Sequence, residues 1–265
     1  MGRKWGQHFL IRQGLVDRML KQTQINKGDQ IVEIGPGKGF LTRSLLQKGA
    51  KVTAVEIDPK LCEHLRESYG EHEQFDLLEG DVMQIDPLQL FPKGCGSVKL
   101  VANLPYQISS VLILKLLPFR NLWKSLTLMV QKEVAERICA TPLQRKDYGP
   151  LSLAVGLGFD CQTFLNVPPT AFRPMPKVDS SLIFLQPRSS GLELEDENKF
   201  LEWSRTLFGN RRKLLCGSIK RHFPDWFHKD KNYIQKSIGK RRPEEIPHKE
   251  WLDLFSRFLS FKKQK

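Results

Sequence analysis

The sequence lacks the features that would place it in a membrane or outside the cell. No apolar run approaches the roughly 18 residues that a membrane-spanning helix needs. Its five cysteines are odd in number, scattered, and without a Cys-x-x-Cys pair, so neither a disulfide framework nor a zinc site is predicted and reduced thiols are expected. The six histidines show no metal-ligand spacing, and repeats and low-complexity tracts are absent. The sequence therefore predicts a cytoplasmic protein without a metal centre.

Positive charge is what the chain has in excess. Its 265 residues carry 42 Lys and Arg against 29 Asp and Glu, a formal charge of +13, while the hydrophobic share of 40% is ordinary for a globular protein. This length suffices for one large domain and a small one. The charge favours a polyanionic partner such as a nucleic acid, although a merely basic surface would give the same number.

A glycine-rich turn follows the first strongly predicted strand. The strand covers residues 30–34 and leads into Gly35-Pro36-Gly37-Lys38-Gly39, after which residues 40–47 are predicted to be helical. This order lets a backbone approach a nucleotide-like ligand closely. Because position 40 is Phe, the spacing is Gly-x-Gly-x-Gly, and the dinucleotide pattern Gly-x-Gly-x-x-Gly does not apply.

The next predicted strands also end in polar residues. The second strand ends at Glu56, which is positioned to bind both hydroxyls of a ribose, and the third ends at Asp81, which could accept a hydrogen bond from an adenine amine. The fourth delivers Asn103. Each carboxylate alone could be an ordinary surface residue. Because the carboxyl ends of parallel strands share one edge of a sheet, the sequence predicts a ligand site there.

The fourth strand ends in Asn103-Leu104-Pro105-Tyr106. Proline has no N–H and restricts the residue before it to extended conformations, so the Asn103 amide and the Leu104 carbonyl are free to face a ligand. These two groups could accept both hydrogens of an exocyclic amine while the Tyr106 ring stacks on the base. An ordinary turn uses the same residue types, so these four residues alone do not distinguish a base-binding corner from a turn.

A second stacking residue is predicted at Phe172. It lies in residues 168–180, where four prolines fix φ and stiffen the chain. Stiffening would hold the Phe172 ring opposite Tyr106. The alternative is that Phe172 fills the core.

The composition changes near Ser189-Ser190-Gly191, which we take as a linker. The predicted domains are therefore residues 1–190, which bind the ligand, and residues 191–265, which are helical and basic. The second segment carries 18 Lys and Arg against 11 Asp and Glu. Its candidate phosphate contacts are Arg211, Arg212, Lys213, Lys240, Arg241 and Arg242. The alternative is that these clusters are solvated helix faces.

Taken together, these motifs resemble those of the small-subunit ribosomal RNA adenine N6-dimethyltransferases of the bacterial KsgA type. The resemblance is densest at Gly-Gln-His-Phe-Leu (6–10), Val-Glu-Ile-Gly-Pro-Gly (32–37), Asn-Leu-Pro-Tyr-Gln-Ile-Ser (103–109), Gln-Lys-Glu-Val (131–134), Phe-Arg-Pro-Met-Pro-Lys-Val-Asp-Ser (172–180) and Asn-Arg-Arg-Lys (210–213). It implies an α/β class I (Rossmann-like) methyltransferase sheet with a small C-terminal helical domain, acting as a monomer in the cytoplasm. The implied cofactor is S-adenosylmethionine, and the implied partner is 16S rRNA in the small ribosomal subunit.

The resemblance also implies a set of site residues and a reaction. Cofactor contacts would be His8, Leu10, Gly35, Gly37, Glu56, Asp81 and Asn103, and the catalytic group would be Asn103, Leu104, Pro105, Tyr106 and Phe172. The reaction would place two methyl groups on N6 of each of two adjacent adenosines in the hairpin near the 3′ end of the rRNA, with a role in subunit biogenesis. His8 stands where the family often has Asn, which puts that contact in doubt.

Two other functions stay open at this point. One is an erythromycin-resistance type of enzyme that methylates large-subunit rRNA. The other is a non-catalytic factor for ribosome assembly or transcription on the same fold.

Overall fold

The computed structural model describes residues 7–91 and 98–263. The segment from Gly2 to Leu10, called the N-terminal arm below, is described from residue 7 on. The strands are β1 Phe9–Leu10, β2 Gln30–Ile34, β3 Lys51–Glu56, β4 Phe75–Glu79, β5 Val98–Asn103, β6 Trp123–Gln131, β7 Phe159–Val167, β8 Phe172–Arg173 and β9 Ser180–Pro187. The helices are α1 Gln13–Thr23, α2 Phe40–Gln47, α3 Pro59–Tyr69, α4 Ser109–Leu116, α5 Lys132–Cys139, α6 Pro150–Gly158, α7 Leu194–Phe208, α8 Leu215–His222, α9 Pro224–Lys229, α10 Lys231–Ile238 and α11 His248–Lys262.

Seven strands form one sheet in the order β4-β3-β2-β5-β6-β9-β7. The five from β4 to β6 are parallel, and β9 runs antiparallel to both β6 and β7. The predicted Rossmann-like α/β sheet is confirmed. Since the parallel strands run the same way, the chain segments after β2, β3, β4 and β5 all emerge at one edge.

The central strands are apolar on both faces. Val32, Leu100 and Leu128 have no exposed surface, which is typical of strands that are covered by helices on both sides. Helix α1 places Val16, Met19 and other buried residues at helical spacing against the sheet.

A second, two-stranded sheet pairs β1 with β8 antiparallel, with Phe9 opposite Arg173 and Leu10 opposite Phe172. The pairing continues where the Ile11 amide donates to the Ala171 carbonyl at 3.0 Å. The described part of the N-terminal arm is therefore held against the proline-rich segment.

The chain divides into two compact units that differ from the predicted domains in one respect. One unit contains residues 1–135 and 158–188, and the other contains residues 136–157 and 189–265. The sequence analysis placed residues 136–157 in the first domain. They join the second unit because Leu153 and Leu157 pack with Phe200 in its core. The sequence of an apolar helix shows that it is buried, but it does not show which distant residues it packs against.

The core of the second unit is rich in aromatic rings. Trp203 meets Trp251 edge to face at 5.6 Å between centroids, and Phe208 stacks on Trp251 at 5.2 Å. Offset and edge-to-face pairs add to the burial energy of such rings. This packing holds together a unit built of short helices.

None of the helices that the structure describes is long and apolar enough to cross a membrane. The expectation of reduced thiols needs a correction, because Cys139 and Cys161 are both disulfide-bonded, whereas Cys62 and Cys216 are free. Cysteine spacing along a chain carries no information about distances in the fold, so the sequence could not show this. Cys95 lies outside the described residues.

Candidate active site

A cavity of about 700 Å³ lies in the first unit at the carboxyl edge of the sheet. Ten of the predicted site residues line it: His8, Leu10, Gly35, Gly37, Glu56, Asp81, Asn103, Leu104, Pro105 and Tyr106. The structure therefore brings together side chains from the N-terminal arm and from the ends of four strands. Their individual roles stay predictions.

The glycine-rich turn has a backbone that other residues would strain. Gly35, Gly37 and Gly39 have φ values of 69°, 61° and 75°, in the left-handed region that favours glycine. A Cβ atom added to Gly37 would lie 2.9 Å from the ring of Phe9. The turn is thus a cradle of bare backbone, which is the feature that a close-lying ligand requires.

Glu56 is fixed by backbone amides on both carboxylate oxygens. Oε2 accepts from the Gly37 amide at 3.1 Å, and Oε1 accepts from the Ile57 and Asp58 amides at 2.9 and 3.0 Å. Burial raises the pKa of Glu56, and these amide bonds act against that rise. The carboxylate is held in place beside the glycine turn, where the predicted ribose contact would be made.

Glu33 lines the cavity and is a residue that the sequence analysis did not select. It is 1% exposed and accepts a hydrogen bond from Thr42 Oγ1 on Oε2 at 2.7 Å. Burial raises its pKa to about 8; the Thr42 bond opposes the rise and the charge of Glu56 adds to it. An acidic residue inside an otherwise apolar strand was the signal that could have found it.

Asp81 begins a tight turn at the cavity wall. Its Oδ1 accepts from the Met83 amide at 2.8 Å, which leaves Oδ2 to accept a bond from a ligand. The preceding Gly80 amide donates to the Glu56 carbonyl at 2.8 Å. This bond joins the backbone segments that carry Glu56 and Asp81, so the two carboxylates lie on adjacent strand ends, as the strand order predicts.

The amide of Asn103 is oriented by the N-terminal arm. Its Nδ2 donates to the backbone carbonyl of His8 at 3.0 Å. A carbonyl only accepts, so this bond identifies the nitrogen of the amide and directs Oδ1 to the other side. The next residue, Leu104, is anchored through its amide to the Met129 carbonyl at 3.1 Å.

The imidazole of His8 contacts both Pro174 and Tyr106. Its Nδ1 donates to the Pro174 carbonyl at 2.7 Å, and its ring stacks on Tyr106 with centroids 5.7 Å apart and planes 28° from parallel. The contact with Asn103 uses the main chain of His8, so it does not depend on the Asn that the family often has here.

Tyr106 presents a half-buried ring to the cavity. Its hydroxyl shares a 2.7 Å hydrogen bond with Ser180 Oγ, and burial raises the pKa of the phenol. Because the His8 ring stacks on one face of Tyr106, a planar ligand could stack only on the other face.

The prediction that Phe172 forms the opposite stacking wall needs correction. Phe172 has no exposed surface, and it packs in the core with Leu10 and Val16. A buried ring cannot offer a face to a base, so the core alternative describes this structure. Its pairing partner Leu10 is 6% exposed and supports the arm.

Two of the predicted phosphate contacts in the second unit are engaged with protein groups. Arg241 donates to both carboxylate oxygens of Glu250 at 3.1 and 2.6 Å. Arg211 lies 3.8 Å from Glu244 and also donates to the Arg145 carbonyl. The other four candidates, Arg212, Lys213, Lys240 and Arg242, are exposed. Sequence clusters alone could not separate these two groups.

Within residues 7–91 and 98–263, no three His, Cys, Asp or Glu side chains are grouped so that they could hold a metal ion.

Comparison with known proteins gives one family. The model of the ribosomal RNA adenine dimethylase family matches residues 2–259. A ribosomal RNA small subunit methyltransferase A from Rippkaea orientalis is 38% identical over an alignment of 271 positions, gaps included, which covers 97% of each chain. Among solved structures, a dimethyladenosine transferase from Plasmodium falciparum is 29% identical with a TM-score of 0.79, covering 97% of this chain and 98% of that one. The 23S rRNA methyltransferase ErmE is 25% identical with a TM-score of 0.72, covering 94% and 98%.

Proposed function

The chain belongs to the ribosomal RNA adenine dimethylase family, and we propose that it dimethylates N6 of two adjacent adenosines in the hairpin near the 3′ end of small-subunit (16S) rRNA. It is an S-adenosylmethionine-dependent methyltransferase. The observation that carries the proposed chemistry is the orientation of Asn103, whose Nδ2 is occupied by the His8 carbonyl. This bond leaves Oδ1 as an acceptor for an amino group in the cavity.

The residues present fit the cofactor. The backbone of Gly35 and Gly37 lies bare at the cavity wall and admits a ligand against it, and a Cβ on Gly37 would meet the Phe9 ring, which also lines the cavity. Glu56 would bind the ribose hydroxyls, and Asp81 would accept a bond from the adenine amine. When bound, S-adenosylmethionine supplies a methyl group attached to a positively charged sulfur.

Asn103 and Leu104 prepare the target nitrogen. The N6 lone pair of adenine is delocalised into the ring, so the amine is a poor nucleophile. Asn103 Oδ1 and the Leu104 carbonyl accept its two hydrogens, which favours a pyramidal nitrogen with a localised lone pair. After the first methylation only one hydrogen remains for these two acceptors, so the second step relies on one of them.

Tyr106 holds the base, which must leave its stack to reach the cavity. Aromatic stacking of a base contributes roughly 1–3 kcal/mol. The Ser180 hydroxyl, 2.7 Å from the phenol oxygen, fixes the position of the outer end of the ring.

The small subunit is favoured over the large subunit by the curated relatives. The Rippkaea orientalis relative, which is named for the small subunit, matches over 97% of each chain. The cavity itself does not separate the two substrates, because ErmE, named for 23S rRNA, shares the fold over 94% of this chain. The exposed Arg212, Lys213, Lys240 and Arg242 would contact RNA phosphates.

We further propose that the protein acts as a monomer in the cytoplasm and contributes to small-subunit biogenesis. A purely non-catalytic assembly factor is disfavoured, because such a factor would not need an oriented Asn103 or a buried Glu56.

Transfer of labelled methyl groups tests the proposal. Purified protein would be incubated with labelled S-adenosylmethionine and with isolated small or large subunits that lack the modification. We expect label in small subunits, recovered as N6,N6-dimethyladenosine from the 3′-terminal rRNA fragment by mass spectrometry. Label in large subunits would support the erythromycin-resistance type, and binding without label would support the non-catalytic factor.

A further inference from the structure

Lys115 connects the two halves of the candidate site. It lies in α4, the helix that follows the Asn103–Tyr106 corner, and its ammonium group reaches the turn after Asp81. Nζ donates to the carbonyls of Val82, Met83 and Ile85 at 3.0, 2.8 and 2.6 Å. All three protons of the ammonium group are thus used on one short turn.

The turn from Asp81 to Ile85 has no regular structure to satisfy its backbone. Three of its amides bond to Asp81: the side-chain Oδ1 accepts from the Met83 amide, and the backbone carbonyl accepts from the Gln84 and Ile85 amides at 2.8 and 3.1 Å. Lys115 satisfies three of its carbonyls, those of Val82, Met83 and Ile85. Asp81 and Lys115 therefore act as caps at the two ends of a single turn.

This turn forms part of the cavity wall. Gly80, Asp81 and Val82 line the cavity, and the Val82 side chain is 6% exposed. If the carbonyls lost Lys115, they would have to rotate toward water, because a buried carbonyl without a donor is unfavourable. That rotation would displace the Asp81 carboxylate and the Val82 side chain.

We propose that Lys115 is a positioning residue for the adenosine half of the cofactor, an inference that rests on the function proposed above. Lys115 fixes the turn that presents Asp81 and Val82. Since the same helix begins directly after the Asn103–Tyr106 corner, with the Ile108 amide bonded to the Pro105 carbonyl at 3.2 Å, Lys115 also links the adenosine end of the cavity to the target-base end.

The test compares Lys115→Met with Lys99→Met. Lys99 is a matched control in the same unit: its Nζ also donates to a backbone carbonyl, that of Gln24, and to Asp29 Oδ2, both at 2.7 Å, and it does not line the cavity. The probe is 5′-methylthioadenosine, which contains the adenosine half without the amino acid. Its affinity would be measured by calorimetry, and kcat and KM for S-adenosylmethionine would be measured with small subunits.

We expect Lys115→Met to weaken 5′-methylthioadenosine binding by about tenfold or more and to raise KM for S-adenosylmethionine, with kcat changed by no more than about threefold. Lys99→Met should lower the melting temperature and leave probe affinity within about twofold. Lys115→Arg should restore part of the affinity, because guanidinium also donates to carbonyls.

Probe affinity within about twofold of wild type in Lys115→Met would overturn the inference, and so would an equal loss in Lys99→Met. If Lys115→Met does not fold, Lys115→Gln, which keeps one amide donor group, carries the same comparison. Wild-type protein that neither binds the probe nor methylates small subunits would instead reject the proposed function. Active wild-type protein with an unaffected Lys115→Met variant rejects only the role of Lys115.

Discussion

The side-chain nitrogen of Asn103 donates to the backbone carbonyl of His8 at 3.0 Å, across a separation of 95 residues. The residue at the end of β5 is therefore oriented by the N-terminal arm. The arm is in turn held by β8, with Leu10 paired to Phe172. The proposed acceptor geometry is thus a product of the tertiary structure.

Replacing Asn103 should stop catalysis while sparing RNA binding. Asn103→Ala removes the Oδ1 acceptor, and we expect methyl transfer to fall by about a hundredfold or more, because the target amine loses its positioning. Single-turnover methylation of small subunits measures this effect, and a binding assay measures affinity for the subunit.

Asn166→Ala is the control for that experiment. Asn166 lies on β7 and accepts from Ser181 Oγ at 2.9 Å, and it does not line the cavity. It should keep near wild-type activity. Full activity in Asn103→Ala would remove the proposed acceptor role.

The buried Glu33 should make stability depend on pH. Its pKa in the folded protein is about 8, against an ordinary value of 4.5, so the folded state binds its proton more tightly than the unfolded state does. The resulting stabilisation is fully present below about pH 4.5 and is lost as the pH rises through about 8. Since one pKa unit corresponds to about 1.4 kcal/mol, the effect amounts to a few kcal/mol.

Glu33→Gln should flatten this dependence. The glutamine carbonyl can still accept from Thr42 Oγ1 and does not ionise, so the variant should gain stability relative to wild type above about pH 8. Urea unfolding of the cofactor-free proteins from about pH 5 to 9 measures the difference. Glu67→Gln on the exposed side of α3 should give the wild-type curve. Parallel curves for wild type and Glu33→Gln would show that Glu33 does not titrate in this range.

A methyl group at Gly37 should damage the cofactor site. Gly37→Ala adds both left-handed strain and a 2.9 Å approach to the Phe9 ring. Gly28 has a φ of 82° with open space around a Cβ, so Gly28→Ala isolates the strain, worth about 1–2 kcal/mol of stability. We expect calorimetry to show cofactor affinity reduced by about tenfold or more in Gly37→Ala and unchanged in Gly28→Ala. Equal cofactor affinities in Gly37→Ala and Gly28→Ala would contradict the proposal that the cofactor binds against the backbone of Gly37.

The basic residues of the second unit should separate into two groups. Arg212→Ala and Lys213→Ala remove exposed charges, so each should weaken rRNA binding and lower the slope of log affinity against log salt by about 1, without changing the melting temperature. Arg241→Ala breaks the two bonds to Glu250 and should lower the melting temperature by roughly 2–4 °C for each kcal/mol lost. Salt titrations and calorimetric melts of the same preparations measure both. A stable Arg241→Ala variant with weakened RNA binding would reverse this division.

The sequence was sufficient to predict which strand ends meet at the cavity. The glycine turn, Glu56, Asp81 and Asn103 each follow an apolar strand, and parallel strands end at one edge, so local patterns determine the position of these residues. Strand β2 and helix α2 have the predicted bounds of 30–34 and 40–47. Local periodicity determines such elements because their hydrogen bonds are made within the element or with its neighbours in the sheet.

Features that depend on distant contacts could not be predicted in this way. Whether Phe172 faces a ligand or the core depends on its pairing with Leu10, and whether Arg241 is available to RNA depends on Glu250. Residues 136–157 join the second unit through side-chain packing with α7 and α11. In each case the residue type is compatible with both outcomes, and only the fold decides between them.

The bond that orients Asn103 ends on a peptide oxygen, and every amino acid carries one. A substitution at position 8 would therefore keep the acceptor for the Asn103 amide, while the imidazole contacts with Pro174 and Tyr106 would be lost. What orients Asn103 is therefore the path of the backbone at position 8, which the pairing of two short strands at the cavity wall fixes.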